Sequence, residues 1–95
     1  MHASQSTHRG VAAQSWARAV GDRVRDKRLG RGLSQERLGE DADLHRTYIG
    51  RLERGEVNPT LANLVRVAAA LGVDTGELVE GLSLDPSIDL GMDDA

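Results

Sequence analysis

The 95-residue chain has no cysteine and no phenylalanine, and its only aromatic residues are Trp16 and Tyr48. Without cysteine there is neither a disulfide framework nor a thiolate zinc site. No apolar run reaches the ~18 residues that a membrane-spanning helix needs. Met1 to Gly10 is polar and lacks the apolar stretch of a secretory signal. These absences leave one small cytoplasmic domain as the expectation, with no cofactor and no membrane partner.

Basic charge is also in short supply, with 12 Lys+Arg against 15 Asp+Glu and a net charge of −3. At first sight this argues against a polyanionic partner. The distribution says otherwise. Residues 1–73 hold all 12 basic residues and 8 acidic ones, a balance of +4. Residues 74–95 hold Asp74, Glu77, Glu80, Asp85, Asp89, Asp93 and Asp94 and no base, a balance of −7. The chain is a mildly basic body with an acidic end, and that asymmetry says more about partners than the sum does.

The apolar pattern is helical throughout. Residues 1–11 show no periodicity and are expected to be flexible. From Ala12, Trp16, Val20 and Val24 recur at spacing four and define a first helix that stops near Leu29, before Gly30 and Gly32. Ser34 is an N-cap candidate for a short second helix to Asp41, with Leu38 and Ala42 turned inward. Asp43 suits a left-handed turn. A third helix runs from Arg46 to Arg54, burying Ile49 and Leu52. Thr60 caps a fourth, whose apolar face is Leu61, Leu64, Val65, Ala68 and Leu71, and Gly72 stops it. Asp74 and Glu77 have capping-box spacing at the start of a fifth helix. Residues 83–95, with Pro86, Gly91 and four Asp, are expected to form a flexible acidic tail. The fold class is therefore all-α, with five helices and an ordered domain over 12–82. Its Leu, Val, Ala and Ile core is small, and a second copy of the chain would supply further burial.

The second and third helices carry the functional information. Two short helices joined by a tight turn leave the second free to project, as in a helix-turn-helix whose second helix enters the DNA major groove. Gly39 meets the demand for a small residue where the helices approach. Asp43 tolerates the turn. Ile49 and Leu52 form the buried side of the projecting helix, and Arg46, Thr47 and Arg51 form its outer side.

Several stretches in order make the segment from Val24 to Gly81 resemble the XRE, or lambda-repressor-like, family of DNA-binding domains. They are Val24-Arg25-Asp26-Lys27-Arg28, Gly32-Leu33-Ser34-Gln35-Glu36-Arg37-Leu38, Leu44-His45-Arg46-Thr47-Tyr48-Ile49, Arg51-Leu52-Glu53-Arg54-Gly55, Asn58-Pro59-Thr60-Leu61 and Ala70-Leu71-Gly72-Val73. The Arg46-Thr47-Tyr48-Ile49 run also resembles the controller proteins of restriction–modification systems. The resemblance implies a lambda-repressor-like five-helix domain that binds double-stranded DNA as a homodimer on a palindromic operator. It implies that Gln35 binds a phosphate and braces the first residue of the recognition helix. Arg46 and Thr47 would face base edges, with Arg51 one turn further along. Arginine can donate to guanine O6 and N7, and threonine can touch a thymine methyl. Tyr48 divides evenly between a phosphate contact and packing. Asn58 and Thr60 would offer a phosphate the start of the fourth helix, while Thr60 as a plain N-cap is the simpler account. Arg28 and Glu53 match a buried salt bridge. Val73, Leu78, Val79 and Leu82 are the implied dimer contacts.

The sequence departs from the family at three places. Gly39 stands where alanine is usual, Asp43 where glycine or asparagine is usual, and His45 where serine, threonine or aspartate caps the recognition helix. Protonated, His45 would favour a phosphate; an exposed neutral histidine without a role is the simpler reading. Nothing points to an enzyme. His2, His8 and His45 have no metal-ligand spacing, Gly30-Arg31-Gly32 is a helix stop and not a phosphate loop, and Ser34 lacks a His/Asp pair. Two other readings stay open. One is a DNA-binding antitoxin whose terminal segment wraps a toxin. The other is an interaction module whose acidic end binds a basic partner. A polymerase contact is also left open.

Overall fold

The computed structural model describes the backbone of residues 2–83 and the side chains of residues 16–83. Five helices follow in order: α1 His2–Gly30, α2 Gln35–Ala42, α3 Arg46–Glu53, α4 Leu61–Leu71 and α5 Thr75–Val79. No strand occurs among the described residues. α1 begins at His2, ten residues before the start expected from periodicity at Ala12. Residues 2–11 have no apolar stripe to reveal a helix, yet they contain no proline to prevent one. The acidic segment 83–95 lies outside the described residues except for Ser83.

Helical spacing explains which residues meet. On α1, Ala17, Val20, Gly21, Val24 and Arg28 are buried, a stripe at intervals of three and four. It faces Leu38 and Ala42 of α2, Ile49 and Leu52 of α3, Leu64, Val67, Ala68 and Leu71 of α4, and Leu78 of α5 in one core. Fully burying each of the larger side chains contributes about 1.5–3 kcal/mol.

The α4 face differs from expectation. Leu61 and Val65 are 71% and 47% exposed, whereas Val67, absent from the expected face, is fully buried. Val65 lies about 100° around the helix from Leu64. The core is centred on Leu64, Val67, Ala68 and Leu71, so Val65 falls outside it. A correction applies equally to α5. Leu78 is completely buried within this chain's own core, so it has no surface to offer a second copy. Val73 and Leu82 also pack against that core, and among the four expected dimer residues only Val79 counts as exposed.

Two bases on α1 and one in the turn just after it tie the C-terminal half in place. Arg23 donates to the Glu80 carbonyl at 2.7 Å, Lys27 to the Glu77 carboxylate at 3.0 Å, and Arg31 to the Leu71 carbonyl at 2.7 Å. Arg23 and Lys27 are four apart and lie along one side of α1, and Arg31 follows just past its end. Leu71 ends α4 and Glu80 is the C-cap of α5. The Arg23 and Arg31 contacts thus satisfy carbonyls that helix ends leave without partners, at the negative pole of the helix dipole. The basic body consequently commits part of its charge to its own architecture.

Candidate nucleic-acid interface

α2, the turn and α3 form the motif. Ser34 Oγ accepts from the Arg37 N–H at 2.9 Å and starts α2. Asp43 ends it in the left-handed region, at φ 59 and ψ 45. It is the only non-glycine residue with positive φ among those described. The Leu44 N–H then turns back to the Gly39 carbonyl at 2.8 Å. A Cβ on Gly39 would lie 2.5 Å from the Leu44 carbonyl oxygen. Glycine at this position is therefore a steric requirement of this turn, which outweighs its weaker helix propensity.

His45 caps α3. Its Nδ1 accepts from the Thr47 N–H at 3.0 Å, doing what serine or aspartate does elsewhere. This contact uses the Nδ1 lone pair, so the capping imidazole carries no proton there. The histidine expected to have no role holds the start of the recognition helix.

The opposite side of α3 is locked to α1. Arg28 Nε and Nη2 donate to the two Glu53 oxygens at 2.6 and 2.9 Å, and Nη1 donates to the Leu33 carbonyl at 2.8 Å. Both residues are buried. Hydrogen bonding to Glu53 raises the Arg28 pKa above its ordinary value; burial opposes this and the Glu53 charge adds to it. Gln35 Nε2 also donates to Glu53, at 3.0 Å. The resemblance implied that Gln35 braces the first residue of α3; its side chain instead reaches the last. Two glycines make the helix contact close. A Cβ on Gly21 would collide with the Leu52 carbonyl and lie 2.6 Å from that of Glu53. A Cβ on Gly55 would lie 2.9 Å from the Arg18 backbone. The sequence reading missed both. Gly21 could have been found as a small residue one turn after Ala17 on the buried stripe.

With α3 held from behind, its outer side is open. Arg46, Thr47 and Arg51 are exposed, while Tyr48 is half-buried and packs against the core. Asn58 and Thr60 are exposed beside the start of α4, and Thr60 Oγ1 caps that helix through the Asn63 N–H at 3.0 Å. The exposed arginines have carboxylate neighbours that the sequence reading did not single out. Arg46 Nη1 donates to Glu36 Oε2 at 3.2 Å. Arg51 lies 4.0 Å from Glu56, which Arg54 binds more closely, at 2.9 and 3.2 Å. The hydrogen bond from Arg54 is the main cause holding the Glu56 carboxyl below its usual range. A shallow groove between α2 and α3 is lined by Glu36, Gly39, Glu40, Asp43, Leu44, His45 and Arg46. No periodic signal links Glu36 to Arg46, because only the turn brings residues ten apart into contact.

Comparison with known proteins agrees with this geometry. Residues 24–78 match the family model described as helix-turn-helix. The control protein C.BamHI of Bacillus amyloliquefaciens is 44% identical over 61 residues, covering 63% of this chain and 75% of that protein. The control protein C.SmaI of Serratia marcescens is 45% identical over 60 residues, covering 63% and 71%. Among solved structures, the restriction–modification controller protein C.AhdI of Aeromonas hydrophila is 40% identical with a TM-score of 0.64, covering 65% of this chain and 94% of that one. The matched segment contains every element from the Arg28–Glu53 lock to the capped α3, and the chain belongs to the XRE-type helix-turn-helix family of DNA-binding transcriptional regulators.

Proposed function

We propose that this protein is a sequence-specific transcriptional regulator that binds a palindromic operator as a homodimer, in the manner of a restriction–modification controller. One observation carries the reading. The N-terminal turn of α3 presents Arg46 and Thr47 to solvent on a helix fixed from behind by α1 and at its start by His45. That is the arrangement needed to put side chains against base edges without losing register. Arg51 continues the same surface. Gln35, Tyr48, Asn58 and Thr60 are assigned to the phosphates on either side.

Dimerisation is supported by the small core and by the exposed apolar residues Leu61 and Val65 on α4 and Val79 on α5. Val79 stays as a dimer contact, with Val73 and Leu82 at its margin, while Leu78 stabilises the protomer. Two recognition helices about 34 Å apart would read half-sites one helical turn apart. Selection from random double-stranded DNA tests the proposal. It should enrich a two-fold symmetric sequence, and sedimentation should show two chains on it. Failure to enrich any sequence would sink the proposal.

A further inference from the structure

The Glu36–Arg46 contact raises a question that stability does not answer. The two side chains are 62% and 65% exposed. Ion pairs this open contribute little to folding. Their position is what distinguishes them. Glu36 sits in the first turn of α2, and Arg46 is the first residue of α3. The pair spans the groove between the two helices at the end of α3 that the DNA reading directs to base edges.

The hydrogen-bond geometry matters here. Glu36 accepts from Arg46 Nη1. A guanidinium has five N–H donors in a planar fork. One donor on Nη1 is engaged, which leaves the edge formed by Nε and Nη2 available, and two parallel donors are what guanine O6 and N7 accept. Among the described residues, neither Nε nor Nη2 has a hydrogen-bond partner in the chain. A flexible arginine without the Glu36 contact would be drawn to the nearest phosphate, a contact that carries no sequence information. The Glu36 carboxylate both holds the guanidinium and repels a phosphate that approaches it. Arg51 and Glu56 repeat the theme more loosely, at 4.0 Å.

We propose that Glu36 is a specificity-determining positioning residue, which orients Arg46 for a base edge and suppresses its capture by phosphate. The proposal rests on the DNA-binding reading of α3. It names an acidic residue as a contributor to recognition of a polyanion, through a loss of non-specific affinity that is larger than the loss of specific affinity.

The test uses the full chain and the operator recovered by selection. Fluorescence anisotropy would compare that duplex, a duplex altered at the base pair on which Arg46→Ala loses discrimination, and an unrelated duplex. Glu36→Gln removes the charge with little change of shape. It should bind the unrelated duplex about threefold more tightly, because one repulsive charge is gone. It should lose about tenfold of discrimination at the Arg46 base pair, the scale of one good bidentate contact. Arg46→Ala should lose the same discrimination, and adding Glu36→Gln to it should change discrimination no further. The thermal midpoint of Glu36→Gln should match the parent. Discrimination within twofold of the parent would overturn the assignment, as would an equal further loss in the Arg46→Ala background. If selection enriches no sequence, the DNA reading itself falls. If an operator is found and Glu36→Gln leaves discrimination intact, only this assignment falls.

Discussion

Arginine–glutamate pairs occur on both sides of α3, and they do different things. Behind the helix, Arg28 and Glu53 are buried, bidentate and further satisfied by Leu33 and Gln35. In front of it, Arg46 and Glu36 make one exposed contact at 3.2 Å. A buried pair missing one member leaves a charge without solvent or partner, whereas an exposed pair exchanges its partner for water at little cost. The first pair therefore sets where the helix is. The second sets what the arginine touches when DNA is absent. The same two side-chain types stabilise the fold where they are buried, and contribute little to folding where they are exposed.

The comparison breaks most visibly at the buried side. Arg28→Ala should destabilise the domain by about 3–5 kcal/mol, read as a lower urea midpoint with an unchanged slope. A loss below about 1 kcal/mol would mean that the junction is as solvated as the front face. Next comes Arg46→Ala, which should cost about 1–3 kcal/mol of operator affinity and alter base preference while leaving the urea midpoint in place. Gln35→Ala sharpens the contrast because this residue belongs to both sides. It should weaken binding to all DNA sequences alike and also lower the midpoint, since Glu53 loses a donor. A Gln35→Ala protein of parental stability would place the side chain wholly on the DNA side.

His45→Ala has a smaller expected effect, about 1 kcal/mol of stability, because one N-cap hydrogen bond is lost. His45→Asp should restore it, and circular dichroism with urea would show both. The smallest effect concerns the Lys27–Glu77 pair, which is half-buried at Lys27 and exposed at Glu77 and joins α1 to α5. The hydrogen bond from Lys27 lowers the Glu77 pKa from its ordinary 4.5, aided by the Asp74 N–H and the Lys27 charge. A depressed folded pKa means the contribution is present above about 4.5 and is lost as pH falls through the lower folded value. The stability gap between the parent and Glu77→Gln should therefore close on acidification. A gap independent of pH would show that the contact is not charge-dependent.

Much of the recognition helix was legible in order. Ser34, Asp43, Thr60 and Gly72 marked its neighbours' ends through local chemistry, because caps and left-handed turns depend on one or two residues. The Arg28–Glu53 pair came through the family resemblance. Less could be read on α4, where Leu61 and Val65 fit a helical stripe but not the core beneath it. The family pattern placed His45 at the cap position, but its capping hydrogen bond was not legible, because histidine fills that role only when the ring turns its Nδ1 onto the Thr47 N–H.

The sequence by itself determined that this is a small all-α chain without disulfides, with a helix-turn-helix read at residues 35–54 that the structure ends at Glu53. Spacing, caps and glycine placement act within a few residues, and they are written in the order of the chain. Only the tertiary structure decided that Leu78 belongs to the protomer's core, that Gly21 and Gly39 are steric necessities, and that Glu36 meets Arg46. Those outcomes depend on which helix faces arrive together through a turn, and distance in space across the turn has no counterpart in distance along the chain.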